Sequence, residues 1–190
     1  MSSNFTVLYD ANIFFGAFRR TVMVHLAQSG LYRAKWTEDI HQEWMGRLRE
    51  KYPDIGADKV QRIRGLIDAA VPDCLVRGYR RVINNLELPD TNDRHDLAAA
   101  IKSGAQVIVT CNVDHFPAET LSEYDIEAQH PDDFLMYQKE ENLGVFLSLL
   151  QRCRREQKKP AYSVEEFIEK FRVSDLSLTA NWLSEVKQLL

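Results

Sequence analysis

Two short runs of β-branched and aromatic residues constrain this chain more than any other feature. Phe5 to Tyr9 reads FTVLY and Gln106 to Thr110 reads QVIVT. The first stops at Asp10-Ala11-Asn12, the second at Cys111-Asn112. Short apolar runs without polar alternation read as strands buried on both faces, the pattern of a parallel sheet covered by helices. The stretches between them supply the helices. Ile13 to Leu26 allows one, closed by Ser29-Gly30. A strand from Tyr32 to Trp36 leads to Thr37, a good N-cap, with Glu38 and Asp39 in the first turn of a helix that runs to Lys51 and ends at Pro53. Gly56 to Ala70 sets Val60, Ile63, Leu66 and Ile67 on one stripe. Cys74 to Val76 is a candidate strand, and Arg80 to Leu86 a short turn or helix. Leu88 to Asp93 is turn-rich and opens an alanine-rich helix closed by Gly104; Tyr124 to Ala128 offers a further strand. Strands alternating with helices predict an α/β domain with a mainly parallel central sheet and helices on both faces.

Beyond Pro131 the pattern is helical only. Asp132 to Leu150 reads as a helix, and the basic stretch from Arg152 to Lys159, ended by Pro160, as a linker. Ser163-Val164-Glu165-Glu166 is a capping box opening a helix with Val164, Phe167, Ile168 and Phe171 at helical spacing. A last helix carries Trp182, Leu183, Val186 and Leu190. The expected division is an α/β domain over residues 1–151 and a helical C-terminal extension over residues 152–190, packed onto the sandwich because a short helix pair is marginal alone.

A length of 190 residues suits one domain and an appendage, and the 45% hydrophobic and 27% charged fractions exclude a disordered chain. The longest apolar runs fall well short of the ~20 residues of a membrane span. No basic segment precedes the first strand, so no signal peptide is expected. Cys74, Cys111 and Cys153 form neither a disulfide framework nor a paired metal motif, which points to the reducing cytoplasm. With 24 Lys+Arg against 28 Asp+Glu the net charge is −4, which weighs against a broad nucleic-acid-binding face. Local basic groups remain: Arg19-Arg20, Arg47-Arg49-Lys51, Arg77-Arg80-Arg81 and Arg94.

Acidic residues fall at four places: Asp10 after the first strand, Glu43 inside a helix, the Asp90/Asp93/Asp96 group, and Asn112 with Asp114 after QVIVT. Ligands of open α/β sheets bind beyond the carboxyl ends of the strands, where Asp10 and Asn112 lie. Oxygen donors without His or Cys suit Mg²⁺ or Mn²⁺ rather than zinc, and converging carboxylates repel unless a cation joins them. Singly, each acid has a plainer reading. Asp10, Asp114 and His115 are turn residues, Glu43 a surface charge, and Asp96 part of a solvated helix face. One of Asp90, Thr91 and Asn92 is a helix cap.

The segments Leu8-Tyr9-Asp10-Ala11-Asn12, Asp39 to Trp44, Leu88-Pro89-Asp90 with Asp93 to Ala100, and Val109 to Pro117 resemble, in order, the motifs of the PIN domain, and most closely the VapC-type toxins. The resemblance covers roughly residues 5 to 135. It implies a PIN-like α/β/α sandwich and a metal-dependent endoribonuclease, the toxin of a type II toxin–antitoxin pair. Asp10, Glu43 and Asp93 match the first three metal-binding acids, Asp93 better than Asp96. At the fourth, Asn112 fills one place, while His115 holds the next and Asp114 is displaced by one. By the same likeness Asn12, Thr110 and Asp90 orient the carboxylates. The implied chemistry is in-line attack of water on an RNA phosphodiester with Mg²⁺, Mn²⁺ substituting, leaving a 5′-phosphate and a 3′-hydroxyl. The implied partners are RNA, a cognate antitoxin and a second copy of the chain, with no membrane. Two rival readings remain. One is a non-catalytic PIN-like module that binds RNA or protein through an incomplete metal site, favoured by the displaced fourth acid. The other is a receiver-like domain phosphorylated near Asp10, which lacks a convincing phosphoacceptor and lysine.

Overall fold

The computed structural model of the chain describes residues 5–156 and 161–190. Four strands form one sheet, β1 (Thr6–Tyr9), β2 (Arg33–Lys35), β3 (Val107–Val109) and β4 (Glu127–Gln129), in the order β2-β1-β3-β4. All the pairings are parallel, with Leu8 opposite Lys35 on one side and Ile108 on the other. β1 and β3 are wholly buried, as central parallel strands must be when helices cover the sheet. The expected α/β architecture is therefore present. The segment Cys74 to Val76 differs. It contributes one isolated parallel bridge, Trp36 to Leu75, and no strand. Pro72 and the left-handed Asp73 precede it and the left-handed Gly78 follows, which leaves too little extended chain for a ladder.

Two stretches read as single helices are each divided. Ile13 to Leu26 becomes α1 (Ala11–Phe15) and α2 (Ala17–Ala27), separated at Gly16, whose backbone is extended. Glycine resists helix less strongly than proline but more than any other residue, so the break falls there. Asp132 to Leu150 becomes α8 (Pro131–Glu141) and α9 (Leu143–Glu156), parted at Asn142, whose side chain accepts the Val145 N–H at 3.1 Å and starts the second helix. The remaining helices are α3 (Glu38–Lys51), α4 (Ala57–Ala70), α5 (Arg80–Ile83), α6 (Arg94–Ser103), α7 (Ala118–Ser122), α10 (Val164–Arg172) and α11 (Ser177–Glu185). Thr37 caps α3 through Ile40 N, and the Ser163–Glu166 capping box opens α10. Gly104, in the left-handed conformation at φ 64°, ends α6.

The C-terminal helices pack onto the sheet domain. Phe18 of α2 meets Phe167 and Phe171 of α10 edge-on, at centroid distances of 5.7 and 4.9 Å. Phe146 of α9 lies 5.9 Å from Trp182 of α11. Asp132, buried in the first turn of α8, accepts the Leu178 and Thr179 backbone N–H groups and the Thr179 hydroxyl at 2.6, 2.9 and 2.6 Å. It thus caps α11 across space. The linker reading of Arg152 to Lys159 fails in its first half. Arg152, Arg154 and Arg155 belong to α9, and Arg154 donates to the Tyr162 and Leu190 backbone oxygens. Lys158, Lys159 and Pro160 lie outside the described residues. Among the described residues no helix is long and apolar enough to cross a membrane.

Candidate active site

β1 and β3 end side by side, and the ladder carries one residue further: Asp10 N donates to Val109 O at 3.1 Å, and Thr110 N to Gln129 O at 3.0 Å. Asp10 and Thr110 therefore meet at the carboxyl edge of the sheet. The Asp10 carboxylate is buried and held from several directions. Its Oδ2 accepts from Asn12 Nδ2 at 2.6 Å and from the Thr110 hydroxyl at 2.5 Å, while Oδ1 accepts only the Asn12 backbone N–H at 3.3 Å. Asn12 also donates to Thr110 Oγ1 at 3.0 Å, and its own Oδ1 accepts Cys111 N at 3.1 Å. Burial raises the Asp10 pKa above the ordinary carboxylate value against these hydrogen bonds, and the charges of Glu43 and Asp93 push the same way.

Glu43 reaches the edge from α3, half-buried, with Arg47 at 2.8 Å and His95 Nε2 at 3.6 Å. Asp93 closes the 3-10 turn Thr91–Asp93, which Asp90 caps by accepting Asn92 N at 2.9 Å. Of the three candidates for a cap, Asp90 takes the role. Asp93 Oδ2 pairs with His115 Nδ1 at 2.6 Å. Burial lifts the Asp93 pKa; His115 opposes this, and Asp90 and Glu43 add to it. Ligand atoms of Asp90, Asp93 and His115 lie within 4.8 Å of one another. Asn112 and Asp114 are exposed on the loop after β3, and neither side chain makes a hydrogen bond or ion pair among the described residues. From that loop it is His115 that touches an acid.

Asp96 overturns its expected place on a solvated face. It stands in the first turn of α6 and is completely buried. Burial pushes its pKa up to about 7; His95 pulls it down, and Asp10 and Glu43 raise it further. Its neighbour His95 lies between two acids, Nδ1 at 3.2 Å from Asp96 and Nε2 at 3.6 Å from Glu43. Burial works against the His95 charge, but the two carboxylates outweigh it and push its pKa up to about 10. A signal for this placement was present in the chain. Leu97-Ala98-Ala99-Ala100 is apolar without a break, so the helix is buried all round and an acid in its first turn is carried inside.

Several expected RNA-contacting cations are already engaged. Arg19 donates to Cys111 Sγ, and Arg20 donates to Phe14 O and lies 5.8 Å from the Trp44 ring. Arg80 is paired with Asp39. Cys111, His130 and Asp175 form a second group of possible ligands. There, His130 Nδ1 accepts Asp132 N at 3.3 Å, so its Nε2 carries the proton and donates to Asp175 at 3.2 Å. That tautomer does not suit a metal.

The donor set of the first group does fit a hard divalent cation. It consists of carboxylates from β1, α3 and the start of α6 that raise one another's pKa, and one of them, Asp96, has two buried oxygens without a hydrogen-bond donor. Fold and site together define an α/β protein with an acidic centre at the carboxyl edge of a parallel sheet. The comparisons add a particular likeness in a different part of the chain. Residues 131–185, spanning α8 to α11, match the family model described as the VapC50 C-terminal domain. The chain is also similar to "Putative ribonuclease VapC50" of Mycobacterium tuberculosis, 59% identical over 46 residues. That match covers 24% of this chain and 27% of the relative. The likeness to VapC proteins read from the N-terminal motifs is thus joined by one in the C-terminal helices. No solved structure matches the chain.

Proposed function

We propose that this protein is a divalent-metal-dependent endoribonuclease of the VapC kind, the toxin of a toxin–antitoxin pair acting in the cytoplasm. The observation that supports it most is the electrostatic coupling of Asp10, Glu43 and Asp93 at the carboxyl edge of the sheet, acids drawn from three elements far apart in sequence. The similarity to a VapC50 protein supports the same class. Residues 1–151 would form the nuclease unit and residues 152–190 its helical extension. RNA, a cognate antitoxin and a second copy of the chain are the proposed partners.

Asp10, Glu43 and Asp93 would hold Mg²⁺, or Mn²⁺ in its place, with Asp114 or Asn112 contributing from the loop after β3. When bound, such a cation neutralises charge on the phosphate and lowers the pKa of a coordinated water. The chain's own residues set the stage for that chemistry. Thr110 and Asn12 saturate Asp10 Oδ2, which leaves Oδ1 as the oxygen with spare acceptor capacity. Asp90 fixes the turn that presents Asp93. His115 holds a proton on Nδ1 against Asp93 and, partly exposed, stands where a leaving oxygen could take up a proton.

The test is cleavage of structured and unstructured RNAs by purified protein with Mg²⁺, with Mn²⁺ and with chelator, beside Asp10→Asn prepared identically. Metal-dependent cutting that vanishes in the variant is the expected result. Equal cutting by both proteins reveals a contaminant. The exposed position of Asp114 favours a second reading, a binding module without catalysis. RNA retention without cutting in every metal would select it.

A further inference from the structure

We propose that Asp96 is a further metal-holding carboxylate of the acidic centre, and that His95 competes with the cation for it. The proposal rests on the metal-dependent reading above and assigns that centre a ligand from inside α6. Both Asp96 oxygens are buried and neither receives a hydrogen bond. A buried carboxylate without donors is costly, and folded chains satisfy nearly all such groups. This chain satisfies another one fully: Asp132, also buried, accepts from two backbone N–H groups and a hydroxyl. Asp96 therefore stands out within its own molecule.

The one cation in contact with it among the described residues is His95, and the contact is loose. At 3.2 Å from Oδ1, Nδ1 is within ion-pair range but is not aligned for a hydrogen bond. Charge-assisted pairs normally close to about 2.7–2.9 Å. The same ring lies 3.6 Å from Glu43 on α3, so one imidazole is shared between carboxylates of two helices. A shared, poorly aligned counter-charge is one that a divalent cation can replace. The charges of Asp10 and Glu43 both act on Asp96, which places it in the same field as the proposed ligands. An acid supplied by α6 also completes the set that the displaced, exposed Asp114 leaves short.

Mn²⁺ binding to the full chain tests this, measured by calorimetry and by the rise in Tm on adding Mn²⁺. Wild type, Asp10→Asn, Asp96→Asn and His95→Gln are compared, with circular dichroism to verify folding. Asp96→Asn should weaken Mn²⁺ binding about 10-fold or more and remove most of the Mn²⁺-induced rise in Tm. His95→Gln, which keeps Asp96 and removes its competitor, should tighten binding several-fold. If Asp10→Asn weakens binding while Asp96→Asn leaves it unchanged, the role of Asp96 is overturned and the metal centre stands. If Asp96→Asn does not fold, unchanged or weaker binding by His95→Gln overturns the proposal. Wild type that binds Mn²⁺ no better than Asp10→Asn removes both this inference and the metal-dependent reading.

Discussion

At the scale of single residues, Thr110 carries more than its position at a strand end would suggest. Its hydroxyl donates to Asp10, accepts from Asn12, and accepts the Asn112 backbone N–H at 3.0 Å, so one oxygen ties both strand ends and the following loop to the first acid. Thr110→Val keeps the shape and loses all three bonds. It should lower metal affinity or cleavage about 10- to 100-fold, the usual cost of losing a group that orients a ligand, while the fold survives. Metal titration and RNA cleavage at matched protein concentration check this. Asp39 offers a pH signature at the same scale. Burial works against its charge, but hydrogen bonds from Tyr79 and Arg80 outweigh it and hold the carboxyl below its usual range. A carboxyl so depressed stabilises the fold above about pH 4, and that contribution is lost as the pH falls through its lowered pKa. Asp39→Asn should therefore have a lower Tm than wild type at neutral pH, with the gap closing in acid.

At the scale of elements, the joints between helices decide more than the helices themselves. Gly16 and Asn142 each interrupt an apolar pattern that would otherwise run on, and each starts the next helix in a new direction. Asp132 joins α8 to α11, elements whose first residues are 46 positions apart at the Leu178 contact. Removing its carboxylate strands two N–H groups at the start of α11. Asp132→Ala should cost about 2 kcal/mol. Hydrogen exchange should localise the loss to Leu178 and Thr179, with the β1 and β3 amides protected until global unfolding.

Across the whole molecule, the C-terminal helices and the sheet share one apolar interior. Phe18 on α2 sits against Phe167 and Phe171 on α10, and all three rings meet edge to face. Phe171 is completely buried. Phe171→Ala should destabilise the protein by about 3–5 kcal/mol. Tryptophan fluorescence and circular dichroism should report one coincident urea transition, since the ring bridges both parts of a single cooperative unit. Separate transitions would show that the extension unfolds on its own.

The order of elements was legible because it depends on local patterns. Buried strands need continuous apolar residues, caps need Thr37 or Ser163, and a left-handed helix end accepts Gly104, all within a few neighbours in the chain. Asp10, Glu43 and Asp93 could be named as candidates because acids after strands or at helix starts are visible in one dimension. Their surroundings could not. That Asp96 faces inward, that His95 lies between two helices, that Asp114 faces solvent while His115 turns to Asp93, and that Asp132 caps a distant helix all depend on how α3, α6 and α8 rotate against their neighbours. Burial and pairing are properties of that packing. The tertiary structure alone sets them, since a side chain's surroundings come from residues far along the chain.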